Sequence, residues 1–295
     1  MVSVSELGSP SALADALEGV GYFAEPGLAT SLFLCAQLPQ PLLLEGEAGV
    51  GKTQAAKSLA ELLGTPLIRL QCYEGIDASE ALYEWNYPRQ LLSIRVAESK
   101  GESIGEETLF SRDYLIDRPL LQALEHGGPN PAVLLIDEVD RADEEFEAFL
   151  FEMLAESTVT VPELGTLRAK VPPIVILTSN RTRDLHDALK RRCLYHWIDY
   201  PDLEHATRIV RMRMPNLDTQ LVVQIASAVQ RLRELDVQKP PGIAEAIDWA
   251  HAAQLLGISH LHADDVARTL GAVLKYREDQ QVAIDTGLAW VAGDA

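Results

Sequence analysis

Residues 46–53 read GEAGVGKT, between a short apolar run at residues 41–44 (PLLL) and the helix-periodic stretch QAAKSLAELLG that Gly64 closes. Strand, glycine-rich loop and helix in that order admit few folds, since the run before the loop reads as a buried parallel strand. Gly46, Gly49 and Gly51 let the backbone turn back on itself. Together with Glu47, Ala48 and Val50 they aim successive N–H groups into one concavity, which can wrap a phosphate chain. Lys52 adds a point charge for β and γ phosphates, and the Thr53 hydroxyl can ligate a bridging Mg²⁺. A helix beginning near Lys52 brings its N-terminal dipole to the same place.

A second motif sharpens the reading. AVLLIDEVDRAD contains another buried apolar strand, residues 133–136, that ends in Asp137-Glu138. Two adjacent acids at a strand end suit a division of labour, with Asp137 turned to the metal's water shell and Glu138 to the attacking water. The plain alternative is a core strand with a polar end. The two motifs together predict hydrolysis of a nucleoside triphosphate, with ATP and Mg²⁺ as the bound species.

A chain of 295 residues with 47% hydrophobic content has room for one large or two modest domains with a substantial core. Its net charge of −19 opposes loose association with nucleic acid or anionic lipid, so no nucleic-acid partner is expected. Cys35, Cys72 and Cys193 are odd in number and widely spaced, and read as reduced core thiols. The N-terminal segment lacks a basic stretch followed by an apolar core, no run approaches membrane-spanning length, and the expected address is the cytoplasm.

Helical periodicity predicts an amphipathic helix over residues 26–37, and residues 66–71 read as a strand. About sixty residues then precede the acidic strand, more than an α/β connection needs, so an insert is expected at about residues 73–116. It holds the aromatic-rich EALYEWNYPRQLL and the polar ESKGESIGEE, with the helical DRPLLQALEHG following. After the acids come a helix, EEFEAFLFEMLAE, and a hairpin at about residues 158–170 that turns around Glu163, Leu164 and Gly165. Strands follow at residues 174–178 and 194–198, with a short helix in DLHDALKRRC between them. From residue 203 to 291 only the helical period remains, interrupted at Pro215 and at KPPG, residues 239–242.

The order GEAGVGKT, LLIDEVDRAD, hairpin, ILTSN, ALKRRC and helical tail resembles the AAA+ ATPases, and within them the MoxR family. IDEVDRADEEFEAFLFEMLAE is the most specific segment. CYEGIDASEALYEWNYPRQLL is similar to the CoxD-type branch, associated with maturation of molybdenum-containing carbon monoxide dehydrogenase and related hydroxylases. The resemblance implies an α/β P-loop core with a parallel sheet flanked by helices over residues 1–200, and an all-helical lid over residues 201–295. It implies that Asn180 is the polar sensor between the γ phosphate and the catalytic water. Arg192 would be the finger offered to a neighbouring subunit's nucleotide, in a homo-hexamer. A partner with a von Willebrand factor A domain, and a client metalloenzyme, are implied in the same way.

The resemblance also exposes two departures. The lid arginine that such chains use to sense nucleotide is missing from QKPPGIAEAIDWA, where Lys239 is the candidate substitute without the planar fork. Asp140 stands where the family often has Asn, which would add a negative charge near the metal. Arg141 reads equally as facing a neighbour or as a surface ion pair. Tyr83, Trp85 and Tyr87 read equally as client contacts and as the insert's own small core. His260 and His262 lack a third ligand, and helix capping by His262 and Asp264 accounts for them better. A self-contained P-loop kinase and a nucleotide-gated adaptor with little turnover are the competing functions.

Overall fold

The computed structural model describes residues 3–294, whose contacts divide into two compact units. Of the described residues, one unit comprises 3–20, 24–45 and 55–196, and the other 21–23, 46–54 and 197–294.

The main sheet has five strands: β1 (Leu42–Gly46), β2 (Leu67–Gln71), β5 (Val133–Asp137), β8 (Ile174–Ser179) and β9 (Leu194–Ile198). Their spatial order is β2-β5-β8-β1-β9, with β2 on β5, β5 on β8 and β8 on β1 all parallel. Every residue of β1, β5 and β8 is buried. That is why these strands read as unbroken apolar runs, as expected of a parallel sheet covered on both faces. The register sets Leu44 opposite Thr178 and Glu45 opposite Ser179, so the carboxyl ends of β1 and β8 are level, with that of β5 beside them.

The segment between β2 and β5 has its own small architecture. Strands β3 (Tyr83–Trp85) and β4 (Leu115–Asp117) pair antiparallel around the helix Tyr87–Lys100. That helix is capped by the Asn86 side chain, has Pro88 in its first turn, and ends at Gly101 in the left-handed region. Trp85 is buried, edge-on to Phe110 at 5.2 Å between ring centres, and Tyr83 is half-buried against the same core. Tyr87 is 58% exposed. The two readings of this aromatic trio therefore divide: Trp85 and Tyr83 pack, and Tyr87 faces solvent. The expected hairpin is present as β6 (Thr158–Val161) on β7 (Gly165–Arg168).

In the second unit, helices Leu203–Arg213, Thr219–Arg233, Ile243–Leu255, Ala263–Val273, Arg277–Thr286 and Leu288–Ala292 enclose a separate core. Trp249, fully buried, donates its indole N–H to Thr269 at 2.7 Å, so its one polar atom is satisfied. His262 is the N-cap of Ala263–Val273, but the acid that returns to its backbone is Asp265, at 3.3 Å, rather than Asp264. Among the described residues no helix is long and apolar enough to cross a membrane. Cys35 and Cys72 are buried, Cys193 is half-buried, and all three are free.

Trp249→Ala removes the largest side chain of the helical core. Urea denaturation should show a loss of about 3–5 kcal/mol; a loss under about 1 kcal/mol would mean that this helical core is not organised around Trp249.

Candidate functional site

The glycine-rich loop owes its path to backbone conformations that side chains resist. Gly46, Gly49 and Gly51 have φ of +155°, +78° and +100°, and a Cβ on Gly46 would collide with the Ile198 carbonyl. Lys52, buried at the start of the helix Lys52–Leu63, curls back over the loop and donates to the carbonyls of Gly46 and Glu47, each at 2.7 Å. Glu47 and Ala48 are exposed, Val50 is buried, and Thr53 is half-buried one residue into the helix.

In the same unit, the start of the helix Ile243–Leu255 lies directly on this loop. The Ile243 N–H donates to the Gly49 carbonyl at 3.2 Å, and a Cβ on Gly242 would come within 3.0 Å of Ala48 and Gly49 backbone atoms. A Cβ on Gly49 would meet Glu245, whose carboxylate accepts the Gly242 N–H at 2.9 Å. Lys239, the expected substitute cation, is exposed and is held through its backbone N–H by Asp279 at 3.1 Å.

The acidic half belongs to the sheet unit. Asp137, 3% exposed at the end of β5, accepts the Thr178 hydroxyl on Oδ1 at 2.5 Å. Its Oδ2 accepts both Nε and Nη2 of Arg69, at 3.0 and 2.6 Å. Glu138 follows with φ +55°, a left-handed conformation that costs a side-chain-bearing residue about 1 kcal/mol or more. Its backbone N–H is met by Thr178 Oγ1 at 2.9 Å. Its half-exposed carboxylate accepts the Gln71 amide at 3.2 Å and pairs with Arg141 at 3.0 Å. Arg141 thus makes the ion pair that was one of its two readings, and its partner is Glu138.

Negative charge collected here is felt nearby: burial first, then Asp137, Asp140 and Glu138, push the Cys72 thiol up to about 12. The Asp137 carboxylate already draws a cation, and it and the Thr53 hydroxyl are the hard oxygen donors that Mg²⁺ prefers. These residue types fit the ion.

Asp140 ties this acidic end to the next loop. It is 2% exposed and spans the turn after β8, accepting the N–H of Asn180 at 3.2 Å, and the N–H and hydroxyl of Thr182 at 2.8 and 2.7 Å. Three donors from the loop after β8 meet this one carboxylate, which gives Asp140 a scaffolding role. Arg183 adds a second tie from this loop, through Nε to the Ala142 carbonyl at 3.0 Å and through an ion pair with buried Glu147. Arg192 is exposed just beyond the helix Asp187–Lys190, its guanidinium 4.0 Å over the Phe151 ring.

Residues 41–193, just over half of the chain, match the AAA domain family of the dynein-related subfamily. The chain belongs to that family. It is similar to an uncharacterized protein of Staphylococcus saprophyticus, 24% identical over 260 residues, which is 84% of this chain and 90% of the relative. An uncharacterized protein of Staphylococcus epidermidis is 25% identical over the same shares, and one of Staphylococcus aureus is 26% identical over 207 residues, 68% of this chain and 71% of the relative.

Within this AAA domain, the residues that the motifs do not reveal are Arg69, Gln71 and Thr178, the direct partners of the two acids. The signal was present in Arg69 and Gln71, two long polar side chains at i and i+2 on a sheet strand, hence on one face.

Asp140→Asn leaves one acceptor oxygen where a carboxylate met three donors. It should lower stability by about 1–3 kcal/mol in urea and reduce turnover of ATP while leaving nucleotide affinity in place; unchanged stability would count against the scaffolding role.

Proposed function

We propose that this chain is an ATPase of the MoxR type, in the CoxD-like branch, which assembles into a ring and uses ATP hydrolysis to remodel or mature a client metalloenzyme. The observation that carries the reading is the alignment of strands in one parallel sheet: β1, from whose last residue the GEAGVGKT motif begins, and β5, which ends at Asp137, are one strand removed across β8. Ligands of open α/β sheets bind beyond the carboxyl ends of such strands.

In this reading residues 1–200 are the ATPase core, with its insert and hairpin, and residues 201–295 the lid. The backbone of residues 46–51 cradles the triphosphate, with Lys52 on the β and γ phosphates. Thr53 and Asp137 hold Mg²⁺, which when bound offsets the charge of the phosphate oxygens. Glu138 orients and deprotonates the attacking water, and Asn180 aligns it against the γ phosphate. Arg192 acts on the nucleotide of a neighbouring subunit in a hexamer; its exposed position on Phe151 suits a group that works outside its own subunit. The exposed Tyr87, Leu91 and Leu92 on the insert helix offer apolar area for client contact. A von Willebrand factor A domain partner, a molybdenum hydroxylase such as carbon monoxide dehydrogenase as client, and a cytoplasmic setting complete the proposal.

Glu138→Gln should retain nucleotide binding and lose hydrolysis, measured by fluorescent-nucleotide titration beside phosphate release; equal turnover in the mutant would remove Glu138 from the chemistry. For Arg192→Ala, binding should persist while turnover falls by about 10³-fold or more. Wild-type turnover per subunit should rise with protein concentration as rings assemble. Loss of binding in isolated Arg192→Ala subunits would instead place the arginine in its own subunit's site.

A further inference from the structure

The Asp137–Arg69 pair is unequal in a way that suits exchange. Asp137 has a side chain only 4% exposed, and a carboxylate so placed must be paired, since leaving it buried alone is strongly unfavourable. Arg69 is 48% exposed at its side chain, so its guanidinium can return to water with little loss. The buried member is fixed and the exposed member is free to move. Both carboxylate oxygens are in use: Thr178 holds Oδ1, and two N–H groups of Arg69 hold Oδ2. A metal's water shell can reach Oδ2 only as Arg69 withdraws, and a dication approaching Asp137 repels the guanidinium as it does so.

We propose that Arg69 is the resident counter-cation of Asp137, and that it is exchanged for the metal ion arriving with the nucleotide. The inference rests on the nucleotide-binding reading above. Arg69 is a positioning residue that sets how much metal the site requires. It also links the metal to the second acid. Arg69 Nη2 donates to the Gln71 Oε1, while the same Gln71 amide donates to Glu138 at 3.2 Å. Departure of Arg69 removes one of the three contacts that orient the Gln71 side chain, the others being Glu138 and the Cys72 carbonyl at 3.5 Å, and so loosens its hold on Glu138. Metal arrival at Asp137 is thereby reported to Glu138 through two residues of β2. Arg141, by contrast, pairs with Glu138 from the surface and is 56% exposed, a pair of small energetic weight.

The test is a Mg²⁺ titration of fluorescent ATP-analogue binding to the full chain, with Arg69→Gln and Arg69→Lys beside the wild type and a parallel series in EDTA. Arg69→Gln should lower the Mg²⁺ concentration for half-maximal binding by about tenfold, equivalent to about 1.4 kcal/mol of removed competition. Arg69→Lys, with a single ammonium in place of the fork, should lower it by about threefold. Metal-free affinity should match the wild type in both. If both folded variants bind the analogue with the wild-type metal requirement, Arg69 only ties β2 to β5 and the proposal is overturned. Should Arg69→Gln fail to fold, the Arg69→Lys titration decides in the same way. A wild-type chain that binds no analogue at any Mg²⁺ concentration would overturn the nucleotide reading itself, and this inference with it.

Discussion

Parallel pairing of β5, β8 and β1 brings Asp137, Thr178 and Glu45 to neighbouring strand ends, and most of the acidic half is built from that alignment. Thr178 shows how. Its hydroxyl donates to the Asp137 carboxylate and accepts the Glu138 N–H, so one side chain on β8 fixes both a carboxylate and the backbone of a residue with positive φ on β5. A shift of β8 by one residue would turn Thr178 to the opposite face and take its hydroxyl away from Asp137. Glu45 meets the same need for compensation at the end of β1, where it is buried and satisfied by Tyr195 at 3.1 Å and Arg181 at 3.7 Å.

Around this edge, charge is placed so that each buried acid has its own donors. Asp140 is spent on the Asn180–Thr182 backbone, Glu147 on Arg183 and the His186 N–H, and Asp137 on Thr178 and Arg69. Buried carboxylates are tolerable only with such partners, and each pairing also fixes a loop. The loop after β8 is therefore held from two sides, through Asp140 and through Arg183. Glu138 differs, because it is half-exposed and bound by an amide and a surface arginine. Of the two neighbouring acids it is the one whose side chain is easier to move.

Much of this was legible in the chain. Apolar runs marked the central strands because parallel strands covered on both faces have no polar side to show. The helix Pro26–Gln37, the hairpin and β9 fell where periodicity and turn residues put them. The residues that contact the two acids were harder to see, since an arginine and a glutamine on β2 carry no local signature of what lies across the sheet. The backbone tie that Asp140 makes was hidden as well, since it depends on the 3-10 turn Val139–Arg141 carrying the carboxylate to the β8 loop. That Glu245 and backbone atoms would lie beside Gly49 was not legible, because it depends on how the helix Ile243–Leu255 meets the loop.

By itself the sequence determined the glycine-rich loop, the acidic strand end and the order of elements, because these depend on local requirements: glycine where φ is positive, apolar residues where both faces are covered, acids where a strand stops. Tertiary structure alone decided which groups meet those acids from across the sheet, because Arg69, Gln71 and Thr178 reach them only once β2, β5 and β8 are paired in register. It also divided the aromatic insert residues into packed and exposed, since burial depends on what β3 and β4 enclose and not on the residue types.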